Sequence, residues 1–246
     1  MTSSSTTIAN SSVLVTGANR GLGGALVEEA LRRGAKRVYA GTRRPYSHPD
    51  HRVRPLALDI TDPAQIQAAV EEVESLDVLI NNAGVSLPDD LGGRDSLEHH
   101  LAVNLYGTWN VTHAFLPALV RSHGTIVNVV SLAAFAAVPV LPAYSVSKAA
   151  LFALTQSQRA LLAADGVTVH AVMAGPIDTD MVRSLEIPKT APELVARAVL
   201  DGVERGEEEI FPDSMSATLA AGWSAGDAKA LERQNAALVR PQPLAA

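Results

Sequence analysis

The stretch VLVTGANRGLGGALVEEALRRG, residues 13–34, sets the pattern of the whole chain, because a strand, a glycine-rich turn and a helix follow one another in it. Val13–Thr16 is a short β-branched run that ends at a glycine, which predicts a buried strand. From Leu22 the apolar residues recur at helical spacing, and Gly34 is a favourable residue at which a helix ends. The same order of strand and helix continues along the rest of the chain.

Further strands and helices alternate as far as the C-terminal region. The predicted strands are Arg37–Ala40, one within His51–Leu58, Asp77–Ile80, Thr125–Val130, Gly166–Met173 and Glu208–Phe211. The predicted helices are 62–74, Ser96–Ser122 with a kink or an end near Pro117, Tyr144–Ala164, Pro192–Arg205, and Ser214–Leu238 with breaks near Gly222 and Gly226. Most of the strands are continuous apolar runs, which is typical of a parallel sheet covered by helices on both faces.

This alternation predicts the α/β class and a single doubly wound domain with a seven-stranded parallel sheet. The expected divisions are a flexible N-terminal tail at residues 1–11, the domain at 12–240 with a short substrate lid at about 180–191, and a loose C-terminal tail at 241–246. Ligands of such sheets bind at the carboxyl ends of the strands, so a site is expected in the loops at that edge.

Composition and charge exclude several classes of function. The 246 residues are 47% hydrophobic, so the chain can bury a sizeable core. A net charge of −6 without a long Lys/Arg cluster argues against a nucleic-acid partner. Cysteine is absent, which rules out thiolate chemistry, and the histidines form no metal-ligand pattern. With a polar N-terminus and no apolar run of membrane-spanning length, a soluble cytoplasmic protein is expected.

The glycine-rich turn after the first strand is suited to bind a phosphate. Glycines let the backbone approach a phosphate closely, and the following helix offers free N–H groups and a positive dipole end. The spacing is G-x-x-x-G-x-G rather than G-x-G-x-x-G, and a turn without a ligand is the alternative on this motif alone. The candidate cofactor contacts here are Thr16, Gly17, Asn19, Arg20, Gly21, Leu22 and Gly23.

The end of the second strand indicates which dinucleotide binds. A site for NAD usually has an acidic residue there, which accepts hydrogen bonds from the ribose 2′-hydroxyl. This chain has Gly41–Arg44 (GTRR) with no carboxylate. Because guanidinium groups match the charge and geometry of phosphate, Arg43 and Arg20 are interpreted as clamps on a 2′-phosphate, and NADP(H) is the expected cofactor. Solvated arginines are one alternative, and Thr42 at the acidic position leaves room for dual use.

Two further loops follow predicted strands at the same edge of the sheet. Asp59 is placed to contact the adenine of a dinucleotide, together with Ile60, although a plain turn residue would look much the same. Asn82, Ala83 and Gly84 follow the fourth strand, and small residues there allow backbone contacts with a cofactor. Asparagine side chains can fix such a loop.

In residues 131–148, SLAAFAAVPVLPAYSVSK, an apolar run at 132–143 separates Ser131 from Tyr144 and Lys148. Tyr144 and Lys148 are four residues apart, so on a helix they share one face. A nearby cation favours the phenolate and is expected to lower the pKa of Tyr144. Ser131 adds a hydrogen-bond donor, so the stretch predicts a proton-transfer site. A tyrosine and a lysine at this spacing also occur by chance, so the other motifs of the chain determine whether the spacing indicates a site.

Taken together, these motifs resemble the short-chain dehydrogenase/reductase family in its compact, single-domain form, which has a Rossmann fold. The resemblance covers about residues 12 to 212. The matching features are TGxxxGxG at Thr16–Gly23, NNAG at Asn81–Gly84, Asn104 in a long helix, Ser131, and YxxxK at Tyr144 and Lys148. The interval of thirteen residues between the serine and the tyrosine is also similar to that of the family.

The resemblance implies roles for the catalytic residues. Tyr144 would donate the proton to a carbonyl oxygen in reduction and act as base in oxidation. Lys148 would lower the pKa of Tyr144 and bind the nicotinamide ribose, and both residues would contact the cofactor. Ser131 would hold the carbonyl oxygen, and Asn104 would join a water-mediated proton relay with Lys148.

The loop after the sixth strand is similar to the segment that holds the nicotinamide in this family. Ile177 and Thr179 would bind the carboxamide, next to Gly175 and Pro176. Ala174 replaces the usual proline before Gly175, which puts the stiffness of the loop in doubt.

The expected substrate pocket is apolar, because the loop between Ser131 and Tyr144 has no charge and no side-chain hydrogen-bond donor. On the lid, Arg183 and Lys189 could meet an anionic group or be solvated. The candidate pocket residues are Ser131, Ala133, Phe135, Leu141, Met181 and Leu185.

The expected activity is NADPH-dependent reduction of a ketone or aldehyde with an apolar body, or the reverse alcohol oxidation. Hydride would come from C4 of the nicotinamide and the proton from Tyr144. A non-catalytic NADP(H) sensor or scaffold of the same fold is the alternative. An epimerase or dehydratase is a third, but those relatives carry an extra C-terminal domain that this chain lacks. The resemblance also implies a homodimer or homotetramer formed through the two long helices.

Overall fold

The computed structural model describes residues 6–183 and 186–239. Seven parallel strands form one sheet in the order β3-β2-β1-β4-β5-β6-β7. The strands are β1 (Ser12–Thr16), β2 (Arg37–Thr42), β3 (Val53–Ala57), β4 (Val78–Asn81), β5 (Thr125–Val129), β6 (Thr168–Val172) and β7 (Glu209–Ile210). The doubly wound α/β fold predicted from the sequence is confirmed. Leu185 and the predicted tail at 241–246 lie outside the described residues.

Strand β1 lies at the centre of the sheet and explains why the strands read as continuous apolar runs. All five of its residues are buried, and Val15 pairs with Ala40 on one side and with Ile80 on the other. Both faces of such a strand are covered by helices, so neither face needs polar side chains. The switch in strand order beside β1 places a crevice at the carboxyl ends of β1 and β4, where ligands of doubly wound sheets bind.

Helices cover both faces of the sheet. The helices are α1 (Gly21–Arg32), α2 (Pro63–Glu72), α3 (Arg94–Leu101), α4 (Thr108–Ser122), α5 (Pro142–Leu162), α6 (Pro192–Glu204), α7 (Ser214–Ser224) and α8 (Asp227–Ala236). On one face Leu26 of α1 and Val199 of α6 are fully buried in one apolar cluster. On the other face Phe115 of α4 packs in a second cluster with Leu14 of β1. Among the described residues, none of the helices combines the length and the apolar character needed to cross a membrane.

The flexible N-terminal tail does not extend to residue 11 as predicted. Ile8 is fully buried in the cluster beneath α1 and α6. Its amide donates to Oε1 of Glu204 at 3.2 Å, and the amide of Asn10 donates to the carbonyl of Gly34 at 2.9 Å. The polar composition of the segment concealed this one apolar anchor, which binds residues 8–11 to the domain. Residues 1–5 lie outside the described part of the chain.

The predicted long helix Ser96–Ser122 is divided into three segments. Between α3 and α4 lies a π-helical segment, Ala102–Gly107, which contains Asn104. Such segments are rare in proteins, and those that occur often lie at functional sites. Pro117 neither ends nor interrupts α4, which continues to Ser122. The Thr108 hydroxyl donates to the carbonyl of Asn104 at 3.1 Å, so a side chain supplements the local backbone pairing.

The C-terminal region packs on the sheet edge through one buried cation. The Nζ atom of Lys229 in α8 lies 2.7 Å from Glu208, 2.9 Å from Glu209 and 2.9 Å from Glu232. The helical region breaks once, between α7 and α8 at Gly226, whereas Gly222 lies inside α7. Nε1 of Trp223 in α7 also donates to Glu209, so both C-terminal helices are attached to β7, the last strand of the sheet.

Candidate active site

The glycine-rich turn has a conformation that requires its glycines. Gly17 has a φ of +66°, which side-chain-bearing residues rarely adopt. A Cβ atom on Gly23 would lie 2.1 Å from the carbonyl oxygen of Gly17, so no larger residue fits there. Helix α1 then begins at Gly21 without a side-chain cap, which leaves its first N–H groups available. This cradle fits a pyrophosphate.

Buried hydrogen bonds fix the turn to the NNAG loop. The Thr16 hydroxyl accepts from the amides of Asn82 and Ala83, both at 3.0 Å. The Asn82 side-chain amide donates to the carbonyls of Thr16 at 2.9 Å and Gly17 at 3.3 Å. The sequence predicted that these two loops meet at a cofactor, and the structure brings them together.

The other members of the turn have different surroundings. Leu22 is buried in the core, and Asn19 is exposed. Nη1 of Arg20 lies 2.5 Å from Oδ2 of Asp180 at the start of the lid, and Arg183 pairs with the same carboxylate. The guanidinium expected to clamp a 2′-phosphate therefore has an acidic partner across the cleft.

At the end of β2, Thr42 is buried and its hydroxyl donates to the carbonyl of Arg44 at 2.8 Å. Burial alone would raise the pKa of Asp59, but hydrogen bonds from Thr61 and the charge of Arg43 outweigh it, and the pKa is lowered. Arg43 and Asp59 thus lie near one another, as a common adenosine site requires. One oxygen of Asp59 is engaged in the turn, as the plain-turn alternative anticipated.

Ile60, a predicted cofactor contact, is buried in the core cluster of β1 and α4. A Cβ atom on Gly107 would lie 2.7 Å from its side chain. The side chain of Ile60 therefore packs the loop against the π-helical segment, and only its backbone remains for a cofactor.

Tyr144 lies in the first turn of α5, which begins at Pro142 rather than at Tyr144. Burial raises the pKa of the Tyr144 phenol, and its hydrogen bond with Ser131 acts in the opposite direction. The prediction that the pKa of Tyr144 is lowered is therefore wrong, because burial has the larger effect. Nζ of Lys148 lies 5.7 Å from the centre of the Tyr144 ring.

Lys148 is itself buried, with 5% of its surface exposed. Burial lowers its pKa to about 8. Its Nζ donates to the carbonyl of Val129 at 2.7 Å, at the carboxyl end of β5. The lysine thus stays charged at neutral pH, held between α5 and the sheet.

The side chain of Asn104 binds the backbone of the loop after β4. Its Oδ1 accepts from the amide of Val85 at 2.8 Å, and its Nδ2 donates to the carbonyl of the same residue at 2.9 Å and to the Ser147 hydroxyl at 2.9 Å. A Cβ atom on Gly84 would lie 3.1 Å from Oδ1 of Asn104 and 3.8 Å from Nζ of Lys148. The two residues of the predicted relay therefore flank the same glycine.

The loop after β6 is bound at both ends. The amide of Gly175 donates to Oδ2 of Asp213 at 2.8 Å, and Ile177 forms a parallel bridge with Thr190. The Thr179 methyl lies 3.1 Å from where a Cβ on Gly21 would be, so the loop packs on the phosphate turn. Pro176 lines a cavity of about 320 Å³ beside the N-terminus of α7.

The residues predicted to line the substrate pocket have different surroundings in the structure. Ala133 is buried, Leu141 immediately precedes α5, and Met181 is 48% exposed on the lid. The Phe135 ring instead stacks on Trp223, with ring centres 4.6 Å apart, and packs edge-on against Phe152. Phe135 therefore belongs to an aromatic cluster under α7, which sequence reasoning could not foresee because α7 is distant in the chain.

Sequence reasoning missed three polar residues that support the site. Asp213 caps α7 and binds Gly175, and a capping signal Asp-Ser-Met-Ser was present before the helical pattern. Asp89 accepts from the amide of Ala143 at the start of α5 at 3.2 Å. His100 is fully buried beside Tyr144. Its burial could not be read from an adjacent pair of histidines.

The fold and this site define a dinucleotide-dependent oxidoreductase. The family model described as short chain dehydrogenase matches residues 11–189, and the chain belongs to that family. Its resemblance to the family is thereby confirmed, and a nicotinamide dinucleotide is the cofactor type.

Solved and curated relatives match most of the chain. A crystal structure of a short chain dehydrogenase from Burkholderia cenocepacia in complex with NADP is 38% identical, covers 93% of this chain and 99% of that one, and has a TM-score of 0.83. Short-chain dehydrogenase PC-15 of Penicillium crustosum is 34% identical over 94% of this chain and 88% of that protein. Oxidoreductase UcpA of Escherichia coli is 30% identical over 80% and 85%.

Proposed function

We propose that this protein reduces ketone or aldehyde carbonyls with NADPH and can run the reverse alcohol oxidation. The observation that carries the proposal is the meeting of Ser131, Tyr144 and Lys148 beside the glycine cradle, at the carboxyl ends of β1, β4 and β5. When bound, NADPH supplies the hydride. The remaining chemistry is a proton transfer to the carbonyl oxygen, which falls to the side chains of the protein.

Tyr144 is suited to donate that proton. Because burial raises the pKa of its phenol, the group stays protonated at neutral pH, as a donor must. Ser131 hydrogen-bonds with Tyr144 and can hold the same carbonyl oxygen, which stabilises the charge that develops there. Lys148 adds a positive charge close by, since its pKa of about 8 keeps it protonated near pH 7.

The charges around the adenosine end favour NADPH over NADH. The Thr42 hydroxyl is occupied by the Arg44 carbonyl, and no carboxylate stands at the end of β2 to bind a ribose 2′-hydroxyl. Arg43 is exposed there, and the relative from Burkholderia cenocepacia was solved with NADP. The residues that would hold the cofactor are Thr16, Gly17, Asn19–Gly23, Thr42, Arg43, Asp59, Ile60, Asn82–Gly84, Tyr144, Lys148, Gly175–Ile177 and Thr179.

A screen of carbonyl compounds with NADPH absorbance as the readout tests the activity. Replacing Tyr144 by Phe should reduce kcat by at least about a thousandfold, because the proton donor is lost. NADPH binding should change by less than about twofold. Tyr106→Phe is a matched control, since that phenol is 58% exposed on the π-helical segment. Undiminished turnover in Tyr144→Phe would refute the mechanism, and NADPH binding by wild type without any turnover would favour the sensor alternative.

The cofactor preference has its own matched pair. Arg43→Ser should raise KM for NADPH about tenfold and leave KM for NADH almost unchanged, because a charge-assisted hydrogen bond to phosphate is lost. Arg44→Ser, at the neighbouring exposed position, should change either KM by less than about threefold. Wild-type turnover with NADH equal to that with NADPH would contradict the preference.

The substrate body is proposed to be apolar. Leu87 and Leu91 after β4, Val140 before α5, and Met181 and Ile187 on the lid are exposed apolar side chains around the site. A substrate with an apolar body would cover such surface, whereas a charged one would have to be desolvated there.

A homodimer or homotetramer is proposed from two stripes of exposed, uncharged side chains. One runs along the π-helical segment and α4, and the other along α5. Neither stripe contains a charged residue, which is unusual for a solvent-facing helix surface. The stripes are Ala102, Tyr106, Trp109, His113 and Pro117, and Val146, Ala149, Ala153, Ser157 and Leu161. A mass near 25.8 kDa by light scattering, that of one chain, would contradict assembly.

A further inference from the structure

One buried side chain beside Tyr144 has no part in the proposed proton transfer. His100 is fully buried at the end of α3. Its ring centre lies 6.4 Å from that of Tyr144 at an interplanar angle of 72°, which is edge-on packing. A polar ring in this position has to be explained by what its two nitrogens bind.

The partners of His100 fix its protonation and its tautomer. Nε2 lies 3.0 Å from the amide nitrogen of Leu87, and because a backbone amide only donates, Nε2 accepts and carries no proton. Nδ1 lies 2.7 Å from the carbonyl oxygen of Ser96, which only accepts, so Nδ1 carries the proton. The imidazole is therefore neutral, and two backbone groups set its orientation.

His100 and Asn104 act on the same loop in the same way. They are four residues apart and lie one turn from each other along one helical face. Asn104 binds both backbone groups of Val85, and His100 binds the amide of Leu87, two residues further along the loop. Helix α3 and the π-helical segment that follows it thus hold the loop after β4 at two successive points.

A third contact closes the loop against α5. Oδ2 of Asp89 accepts from the amide of Ala143, the residue before Tyr144. The segment 85–89 is therefore bound at every second residue: Val85 to the π-helical segment, Leu87 to α3 and Asp89 to α5. Leu87 remains 50% exposed on this segment, so its side chain is available for a contact with substrate.

We infer that His100 is a positioning residue, which holds the segment 85–89 as a wall of the substrate site and fixes the Tyr144 ring from behind. The inference rests on the proposed reductase function. Its consequence is that loss of the Nε2 acceptor frees the wall without disturbing the cofactor cradle, which depends on the hydrogen bonds between Thr16 and Asn82.

Two nearly isosteric variants isolate the acceptor. His100→Gln can place a carboxamide oxygen near the position of Nε2, whereas His100→Met has similar volume and no comparable acceptor. Both lose the Nδ1 bond to Ser96, so their difference reports the bond to Leu87. In hydrogen exchange, the amide of Leu87 should exchange at least about tenfold faster in the Met variant than in the Gln variant.

The kinetic readout separates positioning from general destabilisation. In His100→Met, kcat/KM for the carbonyl substrate should fall about tenfold, mostly through KM, while the Kd of NADPH stays within about twofold. His100→Gln should restore most of the loss. Equal kinetics and equal exchange in the two variants would overturn the inference.

The inference stays testable if His100→Met does not fold. The ¹⁵N shifts of His100 in the wild-type protein report its tautomer directly, and a proton on Nε2 would overturn the inference. Asp89→Ala, at a half-buried position, removes the third contact of the wall and should raise KM for the carbonyl substrate in the same direction. If wild type reduces no carbonyl compound, the proposed function fails, while the exchange of the Leu87 amide still decides the contact by itself.

Discussion

The glycine turn and the lid border the same cleft, but different forces hold them in place. The turn is held by the amides of Asn82 and Ala83, which donate hydrogen bonds to the hydroxyl of Thr16, a residue that is 1% exposed. The lid is held across the cleft by the ion pair of Arg20 and Asp180, whose side chains are 68% and 44% exposed.

This difference assigns rigidity to one side of the cleft. A buried polar group that loses its partner costs about 1–3 kcal/mol. An exposed ion pair contributes about 0–1 kcal/mol and is screened by salt. The phosphate side is therefore preorganised before a cofactor arrives, and the lid is the side that solution conditions can release.

The largest effect is expected from a change that breaks the rigid side. In Gly23→Ala the new Cβ would lie 2.1 Å from the Gly17 carbonyl oxygen, and a backbone atom cannot move away as a flexible side chain can. We expect a loss of about 3 kcal/mol in the free energy of unfolding. NADPH binding should fall by more than about tenfold, since the turn itself has to shift. Thermal denaturation and fluorescence titration with NADPH measure the two effects.

The next residue of the same helix provides the control. A Cβ on Gly24 would have its nearest neighbour, the Ala18 carbonyl oxygen, at 3.6 Å, an ordinary contact. Because alanine has a higher helix propensity than glycine, Gly24→Ala should be neutral or stabilising by up to about 1 kcal/mol. Equal losses in the two variants would show that helix α1, and not the close approach of Gly17 and Gly23, determines the effect.

The rigid side is also the part that the sequence predicted best. Strand, turn and helix are local features, so the apolar runs and the glycines of Thr16–Gly23 were sufficient to place the phosphate cradle. The parallel arrangement followed from the alternation of strands and helices, because each parallel pair needs a crossover, whereas the strand order came only from the structure. Ile8 was missed because one apolar residue in a polar segment gives no periodic signal.

Contacts between distant segments could not be predicted in this way. The Phe135 ring packs on Trp223, and Asp213 binds Gly175, so both depend on where the C-terminal helices lie. The pKa of Tyr144 depends on burial, which no spacing encodes, so this pKa is raised where the spacing to Lys148 predicted that it would be lowered. In the sequence His100 was only one of the histidines without a metal-ligand pattern, and its burial depends on the contact between α3 and the loop after β4.

A change in pH should distinguish the buried cation Lys148 of α5 from the exposed charges of the lid. The pKa of Lys148 is lowered from 10.5 to about 8 in the folded protein. Between these two values the unfolded chain binds more protons, so the free energy of unfolding rises with pH in this window. From pH 7 to pH 9 the lysine should add roughly 1 kcal/mol. Urea denaturation of wild type and Lys148→Met, without cofactor, measures the difference.

The variant's own pH profile is the internal control. Below pH 7 the lysine is protonated in both states, so the gap between wild type and Lys148→Met should stay constant there. Above pH 7 the gap should shift in favour of wild type. A gap that stays constant up to pH 10, or shifts in favour of the variant, would show that Lys148 is not desolvated as its 5% exposure indicates.

The smallest effect is expected on the lid. Asp180→Asn removes the charge that pairs with both Arg20 and Arg183, and the free energy of unfolding should change by less than about 1 kcal/mol, because the pairs are exposed. Since Arg20 would no longer share its charge, NADPH should bind about twofold to fivefold more tightly at low salt. That gain should shrink at an ionic strength on the order of 0.5 M NaCl, because salt screens surface charges.

Asp178→Asn is the control. Asp178 is exposed two residues before Asp180, and its carboxylate forms no ion pair among residues 6–183 and 186–239, so this variant removes the same charge without breaking a pair. Weaker NADPH binding in Asp180→Asn, or an equal gain in both variants, would mean that Asp180 does not compete for Arg20 and that the lid is held by its backbone bridge between Ile177 and Thr190 instead.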